Sequence, residues 1–450
     1  MPVRYITVTP ITNLFVPATR SFGDIAIVGA VAANTHGPKK TPVPITNPLA
    51  VSFQSPTRLT TSAATAAGNP TLTFVAVPPA IVPGMEIADL TNTSVIPDGT
   101  FVQSTTATTV VMNQNAAGAG VGNGDSIQIG WPNGKPVDDV GWFSGDLGNS
   151  VKTAFAQTPG PTTIWAVATD PNDDANTLAN GLNEVAKINV QIVVIANRPL
   201  TGAGPGQGRG AIEALATHCN TVSNTGGDGK ERIGVAMLGN GIIDTTVITA
   251  TMAQNRMTMV AHHSTEDAAA AVAGVIAGYQ PHISLLLKQI TLDMDNVFSD
   301  SEIDAFNNAR INWVIRTPLF PGAAFYMGEG YTLGADQPYI DIVRTIDEIS
   351  FDLKAALIRS IGVLRVSRAG LRALVAAMIA VLQPLQDQGV IDSYLVFFPL
   401  LVLLDKNPTT LSDVELQEIH NAQATRTVAS IVTIEYAGAI HRLNITLKFE

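Results

Sequence analysis

Short apolar runs alternate with helix-length segments through the middle of the chain, and this alternation constrains the fold more than any other feature. The apolar runs have strand lengths and span residues 162–169, 190–196, 233–238 and 257–262. The intervening and flanking segments have helical lengths and span residues 147–157, 176–187, 209–222, 245–254 and 268–279. Because apolar strands joined through helices pair in parallel, we predict a largely parallel sheet with helices covering its faces.

The composition changes outside this region, and a chain of 450 residues is too long for a single core. From about residue 53 to 130 charged residues are nearly absent, and turn sequences such as Pro97-Asp98-Gly99 separate short strand-like runs. That pattern predicts a small all-β, sandwich-like module. The predicted fold class is therefore multidomain, α/β and α+β, with a mixed sheet flanked by helices and the β module inserted into it.

A long helix is predicted at residues 340–360, and a second one follows at residues 368–386. Apolar residues recur on the first helix at helical spacing and predict one buried stripe, formed by Ile342, Ile346, Ile349, Leu353 and Ala356. The charged residues off this stripe include Arg344, Asp347, Glu348 and Asp352. They form either a contact surface or a solvated helix face. A strand is predicted at residues 391–398, and the apolar run 395–404 is interpreted as a buried strand.

Both ends of the chain alternate in the manner of β-strands. The alternating residues are Val3, Tyr5 and Thr7 near the start and Leu443, Ile445, Leu447 and Phe449 at the end. A neighbouring strand is predicted at residues 432–436. Because an isolated hairpin is marginally stable in water, these strands must join a larger sheet, in the subunit itself or in a neighbouring molecule. Periodicity alone leaves both possibilities open.

Charge and cysteine content argue against several classes of partner. The formal net charge is −11 and Lys and Arg do not cluster, which argues against a nucleic-acid-binding surface. Cys219 is the only cysteine, so intramolecular disulfides and cysteine-based zinc sites are excluded, and a small buried thiol is expected. The chain start shows no secretory signal. The longest apolar runs, 373–382 and 395–404, are shorter than the roughly 18 residues of a membrane-spanning helix.

Three short motifs resemble ligand sites, but each has a simpler interpretation. Gly206-x-Gly208-x-x-Ala211, with Asp228 further on, matches a dinucleotide-binding fingerprint, yet the loop at 201–210 is too long for that motif's tight turn. His262-His263 has no third metal ligand at suitable spacing. An acidic run lacks the central glycine of a calcium loop; it comprises Asp293, Asp295, Asp300 and Glu302. We therefore predict no catalytic residues, no cofactor and no metal.

Several short segments, taken in order, carry a resemblance to one family. They are Ser21-Phe-Gly-Asp-Ile-Ala-Ile-Val-Gly29 with Gly37-Pro-Lys-Lys-Thr-Pro-Val-Pro-Ile-Thr46, Ala270-Ala-Val-Ala-Gly-Val-Ile-Ala277, Tyr339-Ile-Asp-Ile-Val-Arg-Thr-Ile-Asp-Glu-Ile349 and Gly438-Ala-Ile-His-Arg-Leu-Asn-Ile-Thr-Leu447. Over residues 1–50 and 135–450 the chain resembles contractile phage tail sheath proteins, including the related sheaths of contractile injection systems and R-type bacteriocins. The β module departs from the minimal form of that family.

The resemblance implies a subunit that polymerises helically around an inner tail tube and contracts, which drives the tube through the host envelope for genome ejection. Its expected partners are further copies of itself, the inner tail tube protein, and baseplate and tail terminator proteins, without nucleic acid or membrane insertion. Its expected location is the virion tail, assembled in the bacterial host cytoplasm. The alternatives are a contractile injection system or R-type bacteriocin sheath and, from another class, an α/β nucleotide-binding enzyme with a β appendage.

The resemblance also implies roles for particular residues and segments. The terminal arms would exchange strands between subunits through Val3, Tyr5, Thr7, Leu443, Ile445, Leu447 and Phe449. Lattice or tube contacts are hypothesised for Arg344, Asp347, Glu348 and Asp352. The expected domains are an arm with the first strands at 1–50, the β module at 53–130, an α/β sheath domain at 135–300, a C-terminal core at 301–437 and an arm strand at 438–450.

Overall fold

A computed structural model describes residues 21–30, 42–46, 57–129, 145–169 and 178–441, apart from residues 80, 82, 84–86, 98–99, 226, 228, 318, 321 and 323. The chain divides into two compact units. The larger unit is Ser21–Val343, and the smaller unit contains the described residues from Arg344 onward.

The described strands and helices are as follows. The strands are β1 (Ile25–Ala30), β2 (Val43–Ile45), β3 (Thr57–Ala63), β4 (Thr71–Phe74), β5 (Ile87–Asp89), β6 (Val102–Thr105), β7 (Thr109–Met112), β8 (Ser126–Ile129), β9 (Ile164–Thr169), β10 (Ile192–Ile195), β11 (Ile233–Met237), β12 (Met257–Ala261), β13 (Gln289–Ile290), β14 (Asn312–Ile315), β15 (Phe325–Met327), β16 (Ile391–Phe397) and β17 (Ile431–Tyr436). The α-helices are α1 (Asp146–Phe155), α2 (Ala179–Val185), α3 (Gly210–Thr225), α4 (Ala268–Gly278), α5 (Asp300–Ala309), α6 (Ile340–Leu357), α7 (Arg368–Asp387), α8 (Pro399–Asp405) and α9 (Asp413–Thr425).

A nine-stranded sheet forms the centre of the larger unit, in the order β13-β15-β14-β12-β11-β10-β1-β9-β2. The strands from β14 to β9 pair in parallel, whereas β2, β15 and β13 add antiparallel edges. In β1, Ile25 and Ile27 face one core while Ala26 and Val28 face the other, and all are 0% exposed. The structure therefore confirms the predicted mixed sheet flanked by helices.

The sheet is doubly wound. Helices α1 and α4 pack on the face that carries Ile25, and α2 and α3 pack on the opposite face. In chain order the parallel strands run from β1 outward to β9, then return across β1 to β10, and continue through β11 and β12. Such a reversal creates a crevice between the carboxyl ends of β1 and β10, where open α/β sheets bind ligands when they bind any.

Helix α4 is buried on all sides and consists almost entirely of small aliphatic residues. It packs against α1, and the two backbones approach closely at Gly274. A Cβ added at Gly274 would overlap the carbonyl oxygen of Ala154 on α1. The alanine-rich composition is therefore a packing requirement, because larger side chains would separate α4 from α1 and from the sheet.

The predicted helix at residues 245–254 is wrong. The structure contains only a 3₁₀ turn, Thr245–Val247, after which Ile248 is extended. The carboxylate of Asp244 accepts hydrogen bonds from the backbone N–H and the hydroxyl of Thr246, at 2.9 and 2.7 Å. Residues 245–249 are all β-branched, and their restricted side chains disfavour continued helix.

Six strands between Thr57 and Ile129 form a separate antiparallel sheet in the order β5-β8-β3-β4-β7-β6. Alternate residues of these strands point into one apolar core. Its members include Leu72, Phe74, Val110, Met112, Ile127 and Ile129. The strand pattern agrees with the expected β character of this segment. Its assignment as an inserted sandwich module stays a prediction.

The smaller unit contains α7, α8 and α9 around a two-stranded antiparallel sheet, β16-β17. Ser367 caps α7 by accepting a hydrogen bond from Gly370, and Ser412 with Glu415 forms a capping box on α9. Length and composition alone would allow α7 to cross a membrane, but its Leu371, Met378 and Leu382 pack in the cores of this unit.

The sequence predicted one buried strand over the apolar run 395–404, and this prediction is wrong. The run contains the end of β16 followed by helix α8. Pro399 lies at the first position of α8. Proline has no N–H to continue a strand ladder, and its fixed φ angle suits the first turn of a helix. Periodicity could not separate the two elements because both are apolar.

We predict that Gly274→Ala destabilises the protein even though alanine normally favours a helix interior by about 0.5–1 kcal/mol over glycine. The overlap with the Ala154 carbonyl should cost about 1–3 kcal/mol in the free energy of unfolding, measured by urea titration. Gly206→Ala is the control, because its added Cβ meets no atom within 4 Å. Equal stability of G274A and wild type would contradict the close packing of α4 on α1.

Candidate functional site

The two-stranded sheet of the smaller unit has one packed face and one exposed face that is apolar at one end. Tyr394, Val396, Val432 and Ile434 lie on the packed side in a cluster with Leu382 of α7. On the outer side Leu395 is 61%, Phe397 41% and Ile431 55% exposed, and Phe397 lies directly opposite Ile431 in the register. The rest of this face is polar, with Thr433 opposite Leu395 and Glu435 opposite Ser393.

The backbone of this sheet is also incomplete at its edges. Within the described part of the chain, β16 and β17 pair only with each other. Each strand therefore has an outer edge with N–H and C=O groups directed away from its partner, which is a template for an added strand. A two-stranded sheet is marginally stable by itself, and further strands would complete its main-chain ladders. Leu395 and Phe397 project from the face of the sheet, so packing against that face would be needed to cover them.

The residues predicted to exchange strands lie outside the described residues. They are Val3, Tyr5, Thr7, Leu443, Ile445, Leu447 and Phe449. Their role stays a prediction. Sequence reasoning did not identify the edges of β16 and β17 as a place where a strand could be added. One signal existed, because Leu395 and Phe397 alternate with Tyr394 and Val396, so both faces of β16 carry apolar residues.

The charged residues of α6 are not placed as their spacing predicted. Arg344 and Asp347 are each 6% exposed, whereas Ile346, assigned to the buried stripe, is 44% exposed. Ile349 of the predicted stripe is buried, at 6% exposed, but nearer the start of the helix the buried residues include Ile340, Val343 and Asp347. Glu348 and Asp352 are partly exposed. The premise that Arg344 and Asp347 lie on an open helix face is therefore wrong, while a lattice or tube contact for the four residues stays a prediction.

The glycine-rich loop at residues 201–210 is closed on itself. The N–H of Thr201 donates to the Gln207 carbonyl at 3.0 Å, and the N–H of Gly204 donates to the Gln207 side chain at 2.8 Å. Gly208 has φ +82°, and a Cβ there would overlap the Pro199 carbonyl. A phosphate cradle needs backbone N–H groups directed at the ligand, and here these two are used inside the loop. Asp228 lies outside the described residues.

His262 is a buried structural residue. Its Nε2 donates to the Leu238 carbonyl at 3.0 Å, and its Nδ1 accepts from the Ser264 N–H at 3.1 Å. Burial lowers the pKa of His262 to about 4, so the ring is neutral at pH 7. His263 packs against the ring of Phe298. Among the described residues no three His, Cys, Asp or Glu side chains are grouped as a metal site would require.

Cys219 is fully buried on α3, as the sequence predicted. Burial raises the pKa of its thiol to about 12, despite the opposing charges of Arg232 and Arg256. Since the thiolate is the nucleophilic form, Cys219 is chemically inert in the folded protein.

A cavity of about 280 Å³ lies at the carboxyl end of the sheet, near the crevice between β1 and β10. Two of its polar residues are buried, Ser150 and Asp267, and Asp267 caps α4. The carboxylate accepts from the Ser150 hydroxyl at 2.5 Å, from the Asn197 N–H at 2.8 Å and from the Ala270 N–H at 2.9 Å. Burial raises the pKa of Asp267 above its ordinary value.

Asp267 thus joins α1, α4 and the turn after β10, and its oxygens are already used. A dinucleotide site in a doubly wound sheet offers donors to phosphate at this position, whereas this site presents a carboxylate. Sequence reasoning missed the residue. Its position directly before an alanine-rich helix is the signal of an N-cap.

Comparison with known proteins relates the fold to contractile sheaths. No protein-family model and no curated protein sequence matches the chain. The helical sheath of the anti-feeding prophage, solved in the contracted state, aligns with 100% of this chain and 99% of its own, at a TM-score of 0.53 and 12% identity.

Two further solved structures are similar over part of the chain. The contracted sheath complex of the extracellular contractile injection system PVC covers 68% of this chain and 81% of its own, at a TM-score of 0.49 and 14% identity. A chain of the anti-feeding prophage baseplate covers 64% of this chain and 76% of its own, at a TM-score of 0.46 and 14% identity. The full-length alignment with the anti-feeding prophage sheath shows that the chain has a tail-sheath-like fold.

We predict that the protein loses stability as pH falls from about 6.5 to 4, because two buried histidines titrate in that window. Burial lowers the pKa of both His218 and His262 to about 4, and the neighbouring Arg232 charge lowers that of His218 further. Unfolding frees each ring to bind a proton near pH 6.5, so each contributes about 3 kcal/mol that is present above 6.5 and absent by pH 4.

Urea titrations at a series of pH values test this. His262→Gln should reduce the fall in unfolding free energy between pH 6.5 and 4 by about half, because His218 still titrates there, although the substitution lowers stability at pH 7. His420→Gln, at an exposed position on α9, is the control. An unchanged pH profile in H262Q would contradict the assignment of His262 as a buried neutral ring.

Proposed function

We propose that this chain is the structural subunit of a contractile sheath, which polymerises helically around an inner tube. The observation that supports it most directly is the two-stranded sheet, whose edges are unpaired among the described residues and whose outer face exposes Leu395, Phe397 and Ile431, in a chain that shares the fold of a helical sheath subunit over its full length. Neighbouring exposed apolar side chains are typical of surfaces that bind other proteins.

The contacts proposed at this surface are strands donated by neighbouring subunits. The terminal arms carry the alternating residues that suit an added strand, namely Val3, Tyr5, Thr7, Leu443, Ile445, Leu447 and Phe449. Each added strand would form main-chain hydrogen bonds along an edge of β16 or β17. Because donor and acceptor are different parts of the molecule, the contact is head-to-tail and extends into a helix instead of closing.

Contraction would exchange one packing of the subunits for another while the donated strands hold them together. A difference of roughly a few kcal/mol per subunit between the packings is enough when many subunits change together. We assign Arg344, Asp347, Glu348 and Asp352 to contacts with the lattice or tube. Partial exposure of Glu348 and Asp352 favours these two over the buried Arg344 and Asp347.

The setting we propose is a phage tail, with the inner tail tube, baseplate and tail terminator proteins as partners, assembled in a bacterial cytoplasm for genome ejection. Residues 53–130 would be a decoration module inserted between the arm region at 1–50 and the sheath domains at 135–300 and 301–437. A contractile injection system sheath is the second candidate, favoured by the full-length similarity to the anti-feeding prophage sheath. Neighbouring genes for a capsid or for toxins would separate the two.

We predict that the purified full-length protein, alone or with its tube protein, forms hollow tubes or stacked helical rings of uniform width in negative-stain electron microscopy. Deleting residues 438–450 should abolish these assemblies and leave the subunit folded, as measured by circular dichroism, because an arm contributes to a neighbour's sheet and not to its own core. Discrete particles from the full-length protein under all conditions would contradict the sheath. Normal tubes from the truncated protein would contradict strand donation by this arm but would leave the sheath proposal standing.

We also predict that Leu395→Asp prevents assembly without unfolding the subunit. Leu395 is 61% exposed in the isolated subunit, so the unfolding free energy should change by less than about 0.5 kcal/mol. In the polymer the side chain would be covered, and a buried unpaired carboxylate is strongly unfavourable. Val75→Asp, at a residue 82% exposed in the larger unit, is the control and should assemble. Equal assembly of both variants would contradict a covered outer face.

A further inference from the structure

The loop between α6 and α7 holds aliphatic side chains out in solvent. Ile358 is 60% exposed, and Ile361 and Val363 are each 72% exposed. The loop is a formed turn and not a frayed end, because the Leu364 N–H donates to the Ser360 carbonyl at 3.1 Å and Gly362 adopts φ +82°. Leu357 and Val366, on either side, pack in the core of the smaller unit.

This loop and the first two turns of α7 are also rich in arginine, so the prediction that Lys and Arg do not cluster is wrong for this segment. Residues 358–372, which we term the arginine loop, contain Arg359, Arg365, Arg368 and Arg372 and no acidic residue. The Asp405 carboxylate bonds to both Arg368 and Arg372, at 2.8 and 3.1 Å, and Arg365 is exposed. The arginine loop therefore combines exposed positive charge at Arg365 with exposed aliphatic side chains.

The larger unit presents a surface of the opposite charge and similar construction. Asp293, Asp295, Asp300 and Asp304 are exposed there, and Glu266 joins them by accepting a hydrogen bond from the Asp293 N–H at 3.0 Å. Val297 lies within the same segment and is 40% exposed. Residues 289–309 contain no Lys or Arg. We term residues 293–304 with Glu266 the acidic surface.

We propose that the arginine loop of one subunit docks on the acidic surface of a second copy of this chain. The arginine loop exposes Ile361 and Val363 beside its arginines, the acidic surface exposes Val297 among its carboxylates, and the two signs of charge are complementary. Such a pair of surfaces gives both apolar burial and selection of partner and register. The two surfaces are different, so the contact is head-to-tail and propagates. The proposal rests on the proposed polymer and specifies one of its lattice contacts.

Two charge reversals and their mixture test this contact in the full-length protein. Arg365→Glu places a carboxylate opposite the acidic surface, and Asp304→Arg places a guanidinium opposite the arginine loop. Each variant alone should have a critical concentration for tube formation raised at least about tenfold, because like charges across an interface are repelled. An equimolar mixture should recover assembly, since in alternating order every loop then meets a surface of opposite charge.

Arg426→Glu, at an exposed arginine elsewhere in the smaller unit, is the charge-matched control and should assemble as the wild type does. Thermal melting of the soluble subunits checks that each variant is folded. Wild-type assembly by R365E, or no recovery in the mixture, would overturn the proposal. R365E tubes that form normally but no longer hold an inner tube would overturn it too and assign the loop to the tube protein.

Failure of the docking contact can be distinguished from failure of the proposed sheath function. If the wild-type protein forms no tubes under any condition, the sheath proposal fails, and the docking contact is then measured by sedimentation velocity at low salt. Mixing R365E with D304R must in that case still give associated species that are absent from either variant alone. Sedimentation of the mixture as the sum of its two components would overturn the docking contact as well.

Discussion

The central strands of the larger unit are buried on both faces, and this burial determines how its helices are arranged. A strand such as β1, whose consecutive side chains enter two different cores, requires helices above and below the sheet. The covering helices must be apolar, and α4 must also be narrow, because Gly274 meets the α1 backbone directly. The Asp267 carboxylate then joins the loops at the carboxyl end of the sheet, where an enzyme of this topology would keep groups free for a ligand.

The smaller unit, by contrast, leaves groups exposed that could contact other molecules. Among the described residues its two-stranded sheet has two unpaired edges and exposes Leu395, Phe397 and Ile431, and its arginine loop holds aliphatic side chains in water. The two features would contribute differently to an assembly. Main-chain hydrogen bonds along a strand give strength with little dependence on side chains, whereas opposed charges select the partner and its register. A lattice that changes its packing needs both properties. Strand hydrogen bonds keep the subunits joined, and complementary charges set the position of each subunit.

The parallel sheet and its flanking helices were predictable because a buried strand must be an apolar run and its crossover must be long. Errors arose where two elements share that signal. The run 395–404 is uniformly apolar, and only Pro399 marks the change from strand to helix. Spacing on α6 selected Ile346 as buried, but the packed side follows Ile340 and Val343, because tertiary contacts and not periodicity alone decide which side of a helix is covered.

Local pattern gave only a weak signal for the exposed sheet of the smaller unit. Apolar residues on both faces of β16 mark that strand, but its pairing with β17, which is far away in sequence, depends on the path of the chain. The Asp267 cap was detectable in principle, but its bonds to Ser150 and Asn197 are not, because they depend on the winding of the chain. The fold was therefore more predictable than the surface through which the protein is proposed to act.

The burial of Cys219 has a practical consequence for observing such a protein at work. It is the sole cysteine of the chain and lies on the buried face of α3 with its thiol protonated. A cysteine introduced at an exposed position would therefore be the only reactive thiol in the folded subunit, without removal of any native residue. Fluorophore pairs attached in this way could report distances between subunits while the assembly changes length.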